Sequence, residues 1–471
     1  MQYKWKAFIV VSLSLFVMVM DASALNVILP KIAEDFAVSL GVVSWVTIIG
    51  GLAVSSTLLP LGKLADITGR RKIQLLGMSL FAVGAIICFF SSNISLLLSG
   101  RIVGSLGASM LQAVTMAIVL AVFPDNEKGR GLGMITFAVG IGGIAGPLVG
   151  SQITEFFGWR YIFLIMFFPT LIGFILASYI LSDELIGSPR KEKIKYDFKG
   201  AIYSALFIIL IILNISNPFA ISYTSALYWL IWITSISFIY LFIRSQIKSE
   251  NPMFDLSLFS SWRFSFAVLA RLFGFTSNGP FWFIIPFYST IVLKYSVGLT
   301  GILIFLNALG MSLAGSIGGR LSDKFGTLKF ILSGLLLLTT TWIIFVILGS
   351  DPPMIYILLI SFINGVSNGL WMAPNTSETL EKIPTSHHGL ISAFNALIRN
   401  IGSVIGISIS TILITSILIS YGLNIQIGEL INGSNEEIKI LSNAMNYSFI
   451  LSAGFGIIAI IFSVMGRLKR N

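Results

Sequence analysis

The chain reads as an all-α integral membrane protein: a bundle of fourteen transmembrane helices, two related six-helix halves with a helix pair inserted between them. Three observations carry that reading. Of its 471 residues 56% are hydrophobic and 11% charged, with a mean hydropathy of +0.92, whereas soluble chains carry charge on roughly a quarter of their residues. Apolar runs of about twenty residues, the length that crosses a hydrocarbon core as helix, recur along the chain. The ten-residue alternating segments of a barrel are absent. Finally, the pattern G-x-L-x-D-x-x-G occurs at Gly62, Leu64, Asp66 and Gly69, and again 257 residues on at Gly319, Leu321, Asp323 and Gly326. A repeat at so long an interval marks two related halves, not a short-period solenoid.

The spans fall at about 7–29, 40–61, 73–92, 95–122, 132–154, 160–181, 198–216, 225–243, 264–291, 298–318, 328–349, 354–374, 389–418 and 446–466. Span 1 is long enough to cross a membrane, carries Asp21 near its middle and lacks a small-residue cleavage site, so it reads as a span and not a signal peptide. With the N-terminus in the cytoplasm, only Lys31, Arg160, Lys294 and Lys439 of the 30 Lys and Arg residues fall outside, and Arg101, Arg271 and Arg399 fall within spans. By the positive-inside rule both termini are therefore expected in the cytoplasm of a cell membrane. Each copy of the repeated motif follows the second helix of a half. This places the N-terminal half at 1–182, a cytoplasmic linker at 183–197, the inserted pair at 198–246, a second cytoplasmic linker at 247–263 and the C-terminal half at 264–471. The first linker contains the basic run Ser188 to Lys195, and the inserted pair, free of intramembrane charge, reads as a peripheral packing element.

The net charge of +10 is an orientation signal facing anionic lipid, and no nucleic acid is expected as a partner. The single Cys88 excludes an internal disulfide, and His387 and His388 stand in a polar turn without a Cys/His cluster, so no metal or cofactor is expected. The expected partners are a small-molecule substrate, protons and membrane lipid, with the chain acting as a monomer.

Ionisable groups inside hydrocarbon are costly and mark function. Asp21 is the only acid well inside a span, and Arg101, Arg271 and Arg399 are the interior bases. At the helical rise, Asp21 lies roughly 13 Å and Arg101 roughly 10 Å from the outer ends of spans 1 and 4, so the two can meet. Burial favours the neutral form of a carboxyl and a neighbouring guanidinium the charged form. A carboxyl whose partner comes and goes can therefore carry a proton, and Asp21 with Arg101 is the expected proton-coupling pair. A structural ion pair locking spans 1 and 4 is the alternative.

Polar stripes at helical spacing mark faces turned from lipid. They are Arg101, Ser105, Ala108, Gln112 and Thr115 on span 4, and Arg271, Phe275, Asn278 and Trp282 on span 9. Span 12 carries Asn364, Asn368, Trp371 and Asn375, and span 13 carries Ser392, Asn395, Arg399, Ser403 and Ser410. Such stripes face a cavity or another helix; helix–helix hydrogen bonding is the alternative for any one Asn. Phe281, Trp282, Phe283 and Phe287 read either as a stacking surface for a flat substrate or as lipid-facing. On span 5, Gly142, Gly146 and Gly150 clear one helix face and Pro147 favours a kink, which suits a helix that bends or slides. In the Gly62 turn, Asp66 is expected to pair with Arg70 or Arg71 and hold a cytoplasmic gate.

The run Gly62, Leu64, Ala65, Asp66, Gly69, Arg70, Arg71 resembles the loop motif of the major facilitator superfamily. Fourteen spans with a central pair look like its drug:proton antiporter branch. Asp21 to Pro30, with Asn26 inside it, resembles that branch's first-helix motif, Gly142 to Gly150 its G-x-x-x-G-P-x-x-G antiporter motif, and Trp159 to Phe163 its aromatic box. The chain departs from the pattern at Gly104-Ser105, at Met166 and at Thr327-Leu328-Lys329, which lacks an Arg pair. The resemblance implies a cavity lined by spans 1, 4, 9 and 12, with candidates Asn26, Gln112, Arg271, Asn278, Trp282, Asn364, Asn368, Trp371 and Asn375, plus Asn307 on span 10 and Arg399 on span 13. It implies gating or conformational roles for the Gly62–Arg71 turn, for Gly319, Asp323 and Gly326, and for Gly142, Gly146, Pro147 and Gly150. The implied activity is proton-coupled antiport exporting small organic compounds by alternating access, with a symporter or facilitator importing a metabolite as the alternative. Three interior bases against one acid leave neutral, zwitterionic or anionic substrates open and fit a dication poorly. A channel would need a filter or charged rings and an enzyme convergent catalytic groups; neither pattern is present.

Overall fold

The computed structural model describes residues 2–124, 127–186, 196–217, 221–222, 224–249, 252–349, 352–380, 388–423, 430 and 433–468. Among these there is no strand. Fourteen long helices follow in order: α1 Tyr3–Asp35, α2 Leu40–Thr68, α3 Arg70–Phe89, α4 Ile94–Val122, α5 Lys128–Phe156, α6 Arg160–Ile180, α7 Phe198–Ser216 and α8 Ala226–Lys248, then α9 Trp262–Phe287, α10 Val297–Phe325, α11 Thr327–Leu348, α12 Met354–Leu380, α13 His388–Ser420 and α14 Asn435–Leu468. A single helical turn, Asp183–Ile186, follows α6. Helix is the form that satisfies backbone groups within one segment, which lipid demands. Thirteen of the fourteen are long and apolar enough to cross a membrane. The exception, α9, is long enough, but Arg271, Asn278, Pro280 and Pro286 lower its hydropathy, and most of its residues are buried. A helix wrapped by other helices has no need of an apolar surface.

The repeat seen in sequence is a repeat of structure. Helices α2 and α10 have the same length, 29 residues, and begin and end at the 257-residue interval. The turns that follow them match in backbone geometry: Gly69 has φ 102 and ψ 135, and Gly326 has φ 93 and ψ 138. A side chain is strained at such a positive φ, so the motif's last glycine is a conformational requirement.

The helices sort into two compact units, one of Met1–Ala22, Ile49–Gly143 and Arg160–Leu256, the other of Ser23–Ile48, Ile144–Trp159 and Ser257–Asn471. In the first, α3 and α4 touch backbone to backbone: a Cβ on Gly84 would run into Gly104, and one on Gly107 into the Gly77 carbonyl. Around them Val10, Val11, Met78, Leu111, Val114 and Ile118 form the core. Helix α8 buries only Ser235 and Gln246. Asp197 caps α7 through Gly200 N at 2.9 Å and accepts from Gln246 Nε2 at 2.7 Å, and Gln246 Oε1 accepts from Met253 N at 2.6 Å. The linker residue Tyr196 donates to the Pro60 carbonyl at 3.1 Å.

In the second unit the α10–α12 contact leaves no room for a Cβ on Gly310, Gly365 or Gly369. Phe281, Phe283 and Phe287, expected to stack substrate or face lipid, are fully buried. Phe281 meets Trp342, which stacks on Phe449 with ring centroids 5.4 Å apart. Their helix is surrounded, so their hydrophobicity serves the core. Helix α14 starts at Asn435 rather than at 446, because Ser434 and Glu437 close a capping box (Glu437 Oε2 accepts from Ser434 N at 2.7 Å) and extend the helix beyond its apolar part.

Gly326 has open space where a Cβ would sit, so its requirement is purely one of backbone angle; Gly454, within α14, is equally open but helical. Gly326→Ala is expected to destabilise the protein by about 1–2 kcal/mol. Gly454→Ala should be neutral or stabilising by up to about 1 kcal/mol. Thermal unfolding in detergent checks the pair.

Candidate functional site

Helices α1 and α4 bring together the two residues expected to meet. Arg101 Nη1 donates to Asp21 Oδ2 at 2.8 Å, with side chains 12% and 8% exposed. At that burial neither charge is well solvated, so each depends on the other; removing one partner of such a pair costs several kcal/mol because the second charge is stranded. Asp21 engages one nitrogen of the guanidinium. Arg101 Nε is buried without a partner, and Nη2 makes no hydrogen bond among the described residues. Opposite it stands Gly50 of α2, where an added Cβ would lie 3.6 Å from Arg101 Nη2 and 3.0 Å from Ser105 Oγ. Further along the α4 face Gln112 is half-buried with Oε1 unpartnered. Asn26, in the other unit, is buried and makes no hydrogen bond among the described residues.

The stripes of the second unit meet each other. Asn307 donates to Asn364 Oδ1 at 3.0 Å and to the Ser361 carbonyl at 3.1 Å, and Asn364 donates to Thr341 Oγ1 at 2.9 Å. Asn368 donates to Asn278 Oδ1 at 2.9 Å and accepts from Trp371 Nε1 at 3.2 Å. One chain of amides thus joins α9, α10, α11 and α12. Nearer the termini of these helices, Arg271 donates to the Asn395 carbonyl at 3.0 Å, Thr376 Oγ1 at 3.0 Å and Asn375 Oδ1 at 3.2 Å, and its guanidinium lies 5.2 Å from the Phe275 ring centre. Asn375 in turn donates to the Ala267 carbonyl at 3.1 Å, and Asn395 to Thr379 Oγ1 at 2.7 Å. Trp282 and Arg399 are only partly buried, and Arg399 makes no hydrogen bond or ion pair among the described residues. Asn364 and Asn368 are bonded at both ends of their amides, whereas Asn278 Nδ2 and Asn307 Oδ1 make no hydrogen bond among the described residues.

Of the expected gating residues, Arg70 donates to the Ala117 and Ile186 carbonyls at 3.1 and 3.0 Å. Arg71 donates to the Ser178 carbonyl in the last turn of α6 at 2.7 Å and lies 3.8 Å from Asp183. These are favourable partners for cations, since helix C-termini present unpaired carbonyls. The side chains of Asp66, Asp323 and Ser392, both His387 and His388, and linker residues 187–195 lie outside the described residues. Gly62 and Gly319 face α4 and α12, with Ala113 Cβ and Ala373 Cβ at 4.0 and 3.8 Å from an added Cβ. On α5 the glycines seat α1: a Cβ at Gly142 would lie 2.9 Å from the Phe16 carbonyl, and one at Gly150 2.9 Å from Ala24 Cβ. Gly146 and Pro147 are buried, and the Pro147 carbonyl would lie 2.8 Å from a Cβ on Gly301 of α10.

Sequence reasoning missed Gly50, Thr341 and Thr376. Gly50-Gly51 within an apolar span was a visible signal; the threonines sit in ordinary polar positions and carried none.

The contrast between bonded and unbonded polar residues is testable. Asn364→Ala strips Asn307 and Thr341 of buried partners and is expected to cost about 2–4 kcal/mol. Gln112→Ala, which breaks no hydrogen bond, should stay within about 0.5 kcal/mol. Unfolding midpoints of the two variants in the same detergent measure the difference.

Comparisons with known proteins agree with this architecture. The profile of the Major Facilitator Superfamily matches residues 11–407 and 279–470. The riboflavin transporter RibZ of Clostridioides difficile (strain 630) is 30% identical over 406 residues, covering 86% of this chain and 87% of its own. The multidrug resistance protein Stp of Mycobacterium tuberculosis (strain H37Rv) is 29% identical over 410 residues, 85% of this chain and 74% of its own. A bacterial homologue of the human lysosomal transporter Spinster, solved inward-facing and unoccupied, superposes with a TM-score of 0.72 at 14% identity over 99% of this chain and 97% of its own, which speaks to the fold alone. This chain, a multi-pass membrane protein whose relatives are transporters and not enzymes, therefore belongs to the Major Facilitator Superfamily.

Proposed function

We propose that the protein is a proton-coupled antiporter that exports small organic compounds across the cell membrane by alternating access, with both termini in the cytoplasm. The observation that carries the reading is the Asp21–Arg101 pair, 2.8 Å apart and almost buried. Moving an ion pair's partner away leaves a carboxylate in a poor solvent for charge, and taking up a proton relieves that cost. The glycine face of α5 against α1 supports the antiport form of the coupling, and the similarity to Stp supports export. The Lys and Arg distribution supports the orientation. Arg70 and Arg71, tying α3 to the ends of neighbouring helices, act as conformational residues and not as substrate contacts.

A second reading is proton symport or facilitated import of a metabolite, favoured by the similarity to the riboflavin transporter. The direction of proton movement separates the two. Purified protein in liposomes loaded with a pH-sensitive dye is challenged with riboflavin and a panel of neutral and anionic aromatic compounds. Antiport moves protons against the compound, symport moves them with it, and transport without proton movement would overturn proton coupling altogether. Asp21→Asn is expected to abolish uphill transport while leaving a folded protein with a normal elution profile. Continued accumulation against a gradient in that variant removes Asp21 from the coupling role.

A further inference from the structure

We propose that Gly50 opens a notch on α2 in which Arg101 and Ser105 of α4 hold an oxygen acceptor of the transported compound, a carbonyl or an oxyanion. The inference deepens the transport reading and rests on it, but it does not depend on Asp21 carrying the proton.

Glycines that serve close packing in this protein are recognised by what fills the place of the missing Cβ. At Gly84, Gly107, Gly310, Gly365 and Gly369 it is the backbone of a neighbouring helix. At Gly50 the neighbours within 4 Å, apart from the chain beside it, are the Ser105 hydroxyl at 3.0 Å and Arg101 Nη2 at 3.6 Å. No backbone and no apolar atom takes the vacated space. A side chain there would press on the hydroxyl and on Nη2; glycine leaves the space beside them unfilled.

The groups beside that space are short of partners. Asp21 takes Nη1 and thereby fixes the plane of the fork, since the guanidinium is rigid and planar. Nε is buried and unpaired, Nη2 makes no hydrogen bond, and the Ser105 hydroxyl makes none among the described residues. Arg101 and Ser105 are four residues apart and lie on one face of α4. A guanidinium offers donors and no acceptor, and buried donors without partners are costly. The complementary ligand group is a small acceptor: carbonyl, carboxylate, sulfonate or phosphate oxygen. The unused guanidinium nitrogens offer an ammonium group no acceptor, and the Asp21 carboxylate beside them is already engaged by Nη1. The remainder of the compound would lie along the α4 stripe past Ala108 toward Gln112, whose Oε1 is also unpaired.

The test uses the full chain, in which Cys88 is the single cysteine. In a Cys88→Ala background, Ser105→Cys and Gln112→Cys are each reacted with sulfonatoethyl methanethiosulfonate and with its trimethylammonioethyl counterpart of similar size. The probe is thus an oxyanion or a cation on the same reactive group. The ratio of sulfonate to ammonium rates is expected to be about tenfold greater at position 105 than at 112, the lower end of what one hydrogen bond to a charged group supplies. Adding Gly50→Val is expected to slow the sulfonate reaction at 105 by a similar factor and leave 112 unchanged. Gly50→Ala, with a single methyl, gives an intermediate effect should the valine variant fail to elute as a folded monomer. Equal ratios at the two positions, no reaction at 105, or no response to filling position 50 would each overturn the proposal. No proton gradient enters the measurement, so its outcome and that of the Asp21→Asn transport assay stand or fall separately.

Discussion

Lipid offers polar atoms no partner, and the cost of leaving one unbonded organises both units. It explains why α9, too polar to pass as a membrane span, is nevertheless a long unbroken helix. Its Arg271 and Asn278 meet α12 and α13, which supply amide, hydroxyl and carbonyl oxygens to the first and an amide N–H to the second. It also explains the opposite case, α8, which buries two residues and is apolar over most of its length. Polarity along each helix follows its neighbours.

The same requirement is met differently in the two halves. At the 257-residue interval Asp21 of α1 corresponds to Asn278 of α9. Each reaches the third helix after its own, Asp21 by an ion pair to Arg101 of α4 and Asn278 by a hydrogen bond from Asn368 of α12. The C-terminal network continues into Asn364, Asn307, Thr341 and Trp371. The N-terminal version stops at the ion pair, and the guanidinium beside Gly50 keeps unused donors. One network thus spreads over four helices, and the other ends at a single buried ion pair with unused donors.

Much of this was legible beforehand. Hydropathy at the length of a membrane crossing located thirteen helices, the apolar run over 264–291 located α9 despite its polar residues, and a glycine that must take φ near 100° left its trace as the repeated motif. The depth of Asp21 and Arg101 along antiparallel helices was enough to bring them together. What periodicity could not say is what faces a polar stripe. Asn364 and Gln112 look alike in sequence, each a large amide at helical spacing among apolar residues, yet one is fully bonded and the other is not. The difference lies in residues on other helices, Thr341 and Asn307 for the first and none among the described residues for the second. Likewise the phenylalanines of α9 gave no sign that they would be buried, because a surrounded helix and a lipid-facing one present the same aromatic composition. The early start of α14 escaped for another reason: capping, not hydropathy, sets it.

Charge closes the argument about cargo. Within the spans one carboxylate, Asp21, is matched to one guanidinium, Arg101. Arg271 is surrounded by oxygens that carry partial charge only, and Arg399 has no carboxylate beside it among the described residues. Dipolar oxygens stabilise a cation without cancelling its field, and in a medium of low dielectric that field reaches farther than in water. A compound crossing such an interior meets uncompensated positive potential. An added cation raises the electrostatic cost of the occupied state, and a second positive charge raises it again. A neutral molecule with exposed oxygen acceptors pays no such penalty, and an anion gains. The polar inventory of the helices thus favours the ligand chemistry proposed beside Gly50, though the two lines rest on different residues.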